Sequence, residues 1–94
     1  MSDNSIPSGD PFRIPIEPEL DLHAFAPADV VSVVRDYIDA AVEAGLREVR
    51  LIHGRGRGVQ RAMVQAALER HPRVSEFWDD TAAHLGATIA RLKL

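Results

Sequence analysis

The sequence contains no cysteine among its 94 residues, so disulfide bonds and thiolate metal sites are excluded. It has no apolar run near the ~20 residues that a membrane span needs. Its N-terminus lacks the basic start and apolar core of an export signal, so we expect no membrane association and a cytoplasmic location. Apolar residues make up 46% and charged residues 27% of the chain, which is typical of one soluble globular domain.

Lysine is nearly absent, and the charges are unevenly distributed. Ten of the eleven basic residues are arginine, and the formal net charge is −3. Residues 1–19 hold four acids against Arg13, so the rest of the chain is neutral, and residues 50–61 hold four arginines and no acid. Because the planar guanidinium suits bidentate phosphate contacts, this local excess is compatible with a nucleic-acid partner despite the acidic total.

The chain divides into an arm and a domain. Residues 1–19 contain four of the six prolines, which predicts an extended or disordered N-terminal arm. Phe12, Ile14 and Ile16 alternate with other residues, so the later part of the arm is a candidate for lying on the domain surface or binding a protein partner. Residues 20–94 carry the periodic patterns of a folded domain.

The spacing of apolar residues predicts six elements in the order β-α-β-α-β-β. They are a strand at 20–23, a helix from Pro27 to a C-cap at Gly45, a strand at 49–52, a helix at 59–71, a strand at 74–78 and a strand at 87–92. The inner face of the second helix is predicted to carry Val59, Met63, Ala66 and Ala67. This order predicts an α/β fold, a two-layer sandwich with a four-stranded mixed sheet and both helices on one face.

A glycine- and arginine-rich segment, His53-Gly54-Arg55-Gly56-Arg57-Gly58, follows the second predicted strand. Glycine lets the backbone adopt positive φ or approach another molecule closely, and a helix N-terminus presents unpaired N–H groups. With the arginines, this pattern favours a phosphate site. The predicted phosphate-binding residues are Gly54, Arg55, Gly56, Arg57, Gly58 and Arg61. The glycines are spaced G-x-G-x-G, which differs from the G-x-G-x-x-G of the dinucleotide fingerprint. A P-loop is also excluded, because Val59 stands where a P-loop needs lysine.

Polar residues end both of the first two strands. Asp21 and His23 end one and His53 ends the other, so we expect all three at one sheet edge. An aspartate orients an imidazole, and two histidines near the ordinary pKa of ~6.5 can supply the base and the acid of phosphodiester cleavage. We therefore predict Asp21, His23 and His53 as catalytic residues, with Arg55 meeting the developing charge and no cofactor required. The alternative is a divalent metal held by the Asp–His pair and waters.

The same residues also have structural interpretations. His23 suits the polar end of a strand, His53 suits a loop cap, and Asp21 suits an ion pair with a nearby arginine. His71, which precedes Pro72, is expected as a helix C-terminal residue favoured by the helix dipole.

Residues 20–94 resemble the Smr (small MutS-related) domain. The resemblance rests on Leu20-Asp21-Leu22-His23, on His53-Gly54-Arg55-Gly56, and on Gly86-Ala87-Thr88 opening the last strand. The family's D-L-H motif falls on Asp21, Leu22 and His23, and its H-G-x-G motif falls on residues 53–56. The resemblance implies the two-layer fold above, nucleic-acid binding and, in some members, nicking or structure-selective endonuclease activity on DNA or RNA.

Ala24 departs from the family pattern, which usually has glycine directly after D-L-H. Alanine is a mild change there unless the position needs positive φ or a close backbone approach. The first hypothesis is an endonuclease acting as a stand-alone form of the domain. The alternative, which Ala24 and the modest net charge favour, is a non-catalytic DNA- or RNA-binding module, an accessory in DNA repair, recombination or RNA handling. The sequence does not select DNA over RNA.

Overall fold

A computed structural model describes residues 16–54, 59–83 and 86–93 of the chain. The strands and helices, numbered in chain order, are β1 (Glu19–Asp21), α1 (Val30–Glu43), β2 (Glu48–Ile52), α2 (Val59–Arg70), β3 (Val74–Asp79) and β4 (Ala87–Leu92). Short 3₁₀ turns lie at Leu22–Ala24, Pro27–Asp29 and Thr81–Ala83. None of the helices in these ranges is long and apolar enough to span a membrane.

The strands form one mixed sheet in the order β1-β2-β4-β3. β1 and β2 are parallel, and β4 runs antiparallel to both of its neighbours. Val49 and Leu51 alternate inward along β2 and join a buried core with side chains from both helices, because successive strand residues point to opposite faces. The predicted two-layer α/β fold, with a four-stranded mixed sheet and two helices, is confirmed.

The first strand is shorter than the sequence predicted. It ends at Asp21, because the Asp21 carboxylate accepts a hydrogen bond from the His23 backbone N–H and caps a 3₁₀ turn that begins at Leu22. His23 therefore lies in a turn rather than in the strand. Pro27 likewise begins a 3₁₀ turn before α1. The predicted helix end is confirmed, since Gly45 follows α1 with a φ of 82°.

The predicted inner face of α2 is wrong for Val59 and Ala66 and only partly right for Met63 and Ala67. Val64 and Leu68 are its buried residues, whereas Val59 is 61% exposed and Ala66 is also exposed. Met63 and Ala67 pack only at the margin of the core. Apolar residues occur nearly all around this helix, so periodicity alone did not select a face. The packing of α2 over the sheet buries Val64 and Leu68, which lie one turn apart.

Two matched truncations separate the predicted face of α2 from the observed one. Leu68→Ala should lower the free energy of unfolding by about 3 kcal/mol, because it leaves a cavity in the core. Val59→Ala should change it by less than about 0.5 kcal/mol. Urea unfolding of both variants measures the difference, and equal losses would contradict the observed packing.

The arm predicted at residues 1–19 lies mostly outside the described residues, and so do Phe12 and Ile14. Ile16 is 38% exposed, and the Glu17 carbonyl accepts a hydrogen bond from the Tyr37 hydroxyl on α1. Burial raises the pKa of Tyr37 to about 12. Protein binding through the arm stays a prediction.

Candidate functional site

The carboxyl ends of β1 and β2 bring the predicted site together. Asp21 at the end of β1 pairs in register with Ile52 at the end of β2, and Ile52 pairs with Ala87 at the start of β4. Asp79 at the end of β3 pairs with Thr88 of β4. This edge of the sheet therefore collects the last residues of three strands and the first residues of the fourth.

Asp21 and His23 form an exposed pair at this edge. His23 Nδ1 lies 2.7 Å from Asp21 Oδ1, and the two side chains are 62% and 60% exposed. A carboxylate only accepts hydrogen bonds, so Nδ1 donates and Nε2 is left as the acceptor nitrogen of the neutral ring. The backbone N–H and the side chain of His23 hold the pKa of Asp21 below its ordinary value. The carboxylate is thus kept ionised beside an imidazole that is open to solvent.

Gly54 is packed directly against the outer nitrogen of His23. Its φ is +81°, and a Cβ built on it would lie 2.8 Å from His23 Nε2. The N–H groups of His53 and Gly54 both donate to the Gly86 carbonyl, at 3.1 and 2.9 Å. Glycine is therefore required here both by the backbone conformation and by the space that His23 occupies.

His53 has different surroundings from His23. It is only 3% exposed, and both of its ring nitrogens are hydrogen-bonded. Nδ1 lies 2.9 Å from the Gly54 carbonyl oxygen, and Nε2 lies 3.0 Å from Thr88 Oγ1. The sequence does not decide which face the His53 side chain takes. In the structure this side chain points inward.

A polar chain continues behind His53 and connects it to α2. Gln65 Nε2 donates to Thr88 Oγ1 at 3.1 Å and to Asp79 Oδ1 at 2.9 Å. Arg61 donates to both carboxylate oxygens of Asp79 at 2.7 Å. The hydrogen bonds from Arg61, and after them the one from Gln65, hold the pKa of Asp79 below its ordinary value. Two donors of Arg61, a predicted phosphate-binding residue, are therefore engaged within the protein.

Sequence reasoning missed Gln65, Asp79 and Thr88. Gln65 follows Arg61 by one helical turn, a spacing that puts both on one face of α2. Thr88 belongs to the Gly-Ala-Thr strand start, a motif that supports the family resemblance but assigns no role to Thr88. Their meeting depends on how α2 packs over the sheet, so no local signal places them beside His53.

The structural interpretation of Asp21 was an ion pair with a nearby arginine, but Arg50 pairs with other carboxylates. It donates to Asp80 at 2.6 Å and to Glu19 at 2.9 Å, whereas the partner of Asp21 is His23. The Arg50 guanidinium lowers the pKa of Asp80. His71 follows α2 as expected. Its Nε2 donates to Asp39 at 2.8 Å, and its Nδ1 accepts from the backbone N–H of Arg73.

The predicted phosphate-binding residues Arg55, Gly56, Arg57 and Gly58 lie outside the described residues. α2 begins directly after them, at Val59. Within the described ranges, no group of three or more histidine, aspartate or glutamate side chains could hold a metal ion. Phosphate binding by the loop and a divalent metal at Asp21 and His23 both stay predictions.

Ala24 has room for its methyl group. It is exposed and lies in the 3₁₀ turn that Asp21 caps, a conformation with negative φ. The glycine that the family usually carries is therefore not required at this position for backbone reasons.

Comparison with known proteins adds a family relationship to this geometry. The sequence model of the Smr domain matches residues 20–93. Endonuclease MutS2 of Caldicellulosiruptor bescii is 38% identical over 80 residues, which is 83% of this chain and 10% of that protein. Endonuclease MutS2 of Pelotomaculum thermopropionicum is 39% identical over 79 residues, or 82% of this chain and 10% of that protein. The chain thus spans about a tenth of the length of these curated relatives.

Two solved structures share the fold. The Smr domain of Thermus thermophilus MutS2 superimposes with a TM-score of 0.75 at 32% identity, covering 81% of this chain and 98% of that one. YdaL, a stand-alone small MutS-related protein from Escherichia coli, superimposes with a TM-score of 0.76 at 25% identity, covering 88% of this chain and 70% of that one.

Proposed function

Because the chain belongs to the Smr domain family, we propose that it binds nucleic acid and cleaves phosphodiester bonds, as a nicking or structure-selective endonuclease. Its matching relatives carry the name endonuclease MutS2. The observation that carries the proposal is the exposed Asp21–His23 pair, whose Nε2 lies against Gly54. The rest of the predicted phosphate-binding loop, residues 55–58, follows Gly54 directly in the sequence.

His23 is the proposed general base. With its Nδ1 proton donated to Asp21, Nε2 takes the proton of the attacking hydroxyl, from water or from an RNA 2′-hydroxyl. The new oxygen–phosphorus bond forms as the bond to the leaving oxygen breaks, and the leaving oxygen takes a proton from water. The Asp21 carboxylate stabilises the imidazolium that results.

Positive charge for the pentacoordinate transition state is assigned to Arg55 and Arg57. Preorganised guanidinium and backbone N–H donors stabilise charge that develops during the reaction. In this proposal the chain's own residues suffice, and no cofactor is required. A divalent metal at Asp21 and His23 is the alternative that the assay below separates.

His53 receives a different role from the one the sequence suggested. Its burial and its two hydrogen-bonded nitrogens favour the role of a positioning residue that supports Gly54. They do not favour the role of a second acid or base that contacts the substrate. His23 is therefore the proposed base, and His53 is the proposed positioning residue.

A cleavage assay tests the proposal. The purified chain is incubated with supercoiled plasmid, branched DNA and structured RNA, each with Mg²⁺ and with a chelator, and strand breaks are resolved on denaturing gels. We expect nicks in at least one substrate, at a rate that the chelator leaves unchanged. Chelator-sensitive cleavage would support the metal alternative.

Recovery of intact nucleic acid from all three substrates after long incubation would overturn the endonuclease. If binding persisted under those conditions and weakened with salt, the chain would be a binding module in DNA repair, recombination or RNA handling. Arg55→Ala and Arg57→Ala should weaken that binding in either case, because they remove the guanidinium contacts to phosphate.

A further inference from the structure

We infer that Thr88 and Gln65 are positioning residues that hold His53 in the tautomer with its proton on Nδ1, and through it fix Gly54 against His23. The expected effect on cleavage rests on the proposed function, whereas the tautomer does not. Neither residue lies where it touches the substrate in the proposed reaction, since Thr88 is 0% exposed and Gln65 faces Thr88 and Asp79.

The positions of the protons follow from the partners along the chain of hydrogen bonds. The Gly54 carbonyl can only accept, so His53 Nδ1 must donate to it. In the neutral ring His53 Nε2 then accepts, and its partner, the Thr88 hydroxyl, donates. The Thr88 oxygen in turn accepts from the Gln65 amide. One assignment thus satisfies every group from Gly54 to Gln65.

The other end of the chain fixes the orientation of the Gln65 amide. The NH₂ group of Gln65 has two hydrogens, and its second partner is Asp79, an acceptor that Arg61 already holds with two hydrogen bonds. A flipped amide would point its oxygen at the carboxylate, which repels it. The Arg61–Asp79 ion pair therefore keeps the donor nitrogen turned toward Thr88.

Gly54 is the residue at which this chain of hydrogen bonds meets His23, the proposed general base. Its N–H is tied to Gly86 and its carbonyl to His53, so the peptide groups on both sides of its Cα are held. The same Cα faces His23 Nε2. Loss of the Thr88 hydroxyl would leave His53 Nε2 without its donor, loosen the hold on the Gly54 carbonyl and let the surface behind His23 shift. Misplacement of about 1 Å at a reacting group is enough to cost a reaction roughly 10²-fold.

Thr88→Val and Thr88→Ser form a matched pair for the test. Valine keeps the shape and removes the hydroxyl, and serine keeps the hydroxyl. Long-range ¹H–¹⁵N NMR of the full chain reads the protonated nitrogen of His53, and the Gly54 amide signal reports on the turn. We expect a protonated Nδ1 in the parent and in Thr88→Ser, and displaced His53 and Gly54 signals in Thr88→Val.

Cleavage kinetics supply the second readout. For Thr88→Val we expect kcat to fall about 10- to 100-fold, with KM within about twofold and with Thr88→Ser close to the parent. Gln65→Met, which removes the amide that orients Thr88, should move both readouts in the same direction and serves if Thr88→Val does not fold.

Each outcome decides between the alternatives. A parent His53 protonated on Nε2 would overturn the inference, and so would a folded Thr88→Val with unchanged NMR signals or an unchanged kcat. If the parent cleaves no nucleic acid but the tautomer and its dependence on Thr88 are as expected, then the endonuclease fails while the hydrogen-bonded support of Gly54 stands.

Discussion

Replacing His23 with alanine should lower the rate of phosphodiester cleavage by about 10²- to 10⁴-fold, the range that a positioned general base contributes. The fold should persist, because the His23 side chain is 62% exposed and its side-chain partner is the equally exposed Asp21. Circular dichroism and urea unfolding check the fold, and initial rates on the best substrate of the cleavage assay give the loss.

The structure contains a second aspartate–histidine pair that serves as the control. Asp21→Asn should reduce cleavage, because the amide cannot fix the His23 tautomer or stabilise the imidazolium as a carboxylate does. Asp39→Asn alters the corresponding contact with His71, at the far end of α2 from the site, and should leave the cleavage rate near that of the parent.

A folded His23→Ala that cuts as fast as the parent would show that His23 is not the general base.

Gly54→Ala should cost much more activity than stability. An alanine at a φ of +81° is strained by about 1 kcal/mol. Its Cβ would also meet His23 Nε2 at 2.8 Å, a distance that forces the ring to move. Because His23 is the end of an exposed side chain, it can swing away at little cost to the fold. We therefore expect a cleavage rate lower by about 10²-fold in a protein that unfolds only slightly earlier.

Gly45→Ala is the matched control for this substitution. Gly45 has nearly the same backbone conformation, with a φ of +82°, but nothing lies within 4 Å of a Cβ built on it. The two variants should therefore lose similar free energies of unfolding, and only Gly54→Ala should lose cleavage. If both variants kept the parent rate, the contact between Gly54 and His23 would have no part in the reaction.

The order of the elements and the mixed sheet were predictable because most of the elements repeat their apolar residues at a period of their own. Val49 and Leu51 alternate along β2, and the spacing from Val30 to Val42 identifies α1. The order of the elements then limited the arrangement to a two-layer fold. The first strand was predicted too long, because the Asp21 side chain competes with the sheet for the backbone N–H of His23.

The site was predictable only as a set of residues at the ends of strands. The sequence places Asp21, His23 and His53 at strand ends, and the rule for parallel strands brings those ends together. The burial of His53 and its link to Thr88, Gln65 and Asp79 depend on side chains that meet only after α2 docks on the sheet. Such tertiary contacts have no period and no motif, so pattern reasoning does not reach them.

The contacts around His23 join parts of the chain that are far apart in sequence. Asp21 and His23 come from the start of the domain, Gly54 from its middle, and Gly86, which holds the Gly54 N–H, from its last loop. Because closing such long loops costs entropy before the contacts are gained, we expect these contacts to form late in folding. No fragment that ends before Gly86 contains all of these groups. The proposed cleavage should consequently report complete folding, and denaturant should abolish cleavage and the global fold in a single transition.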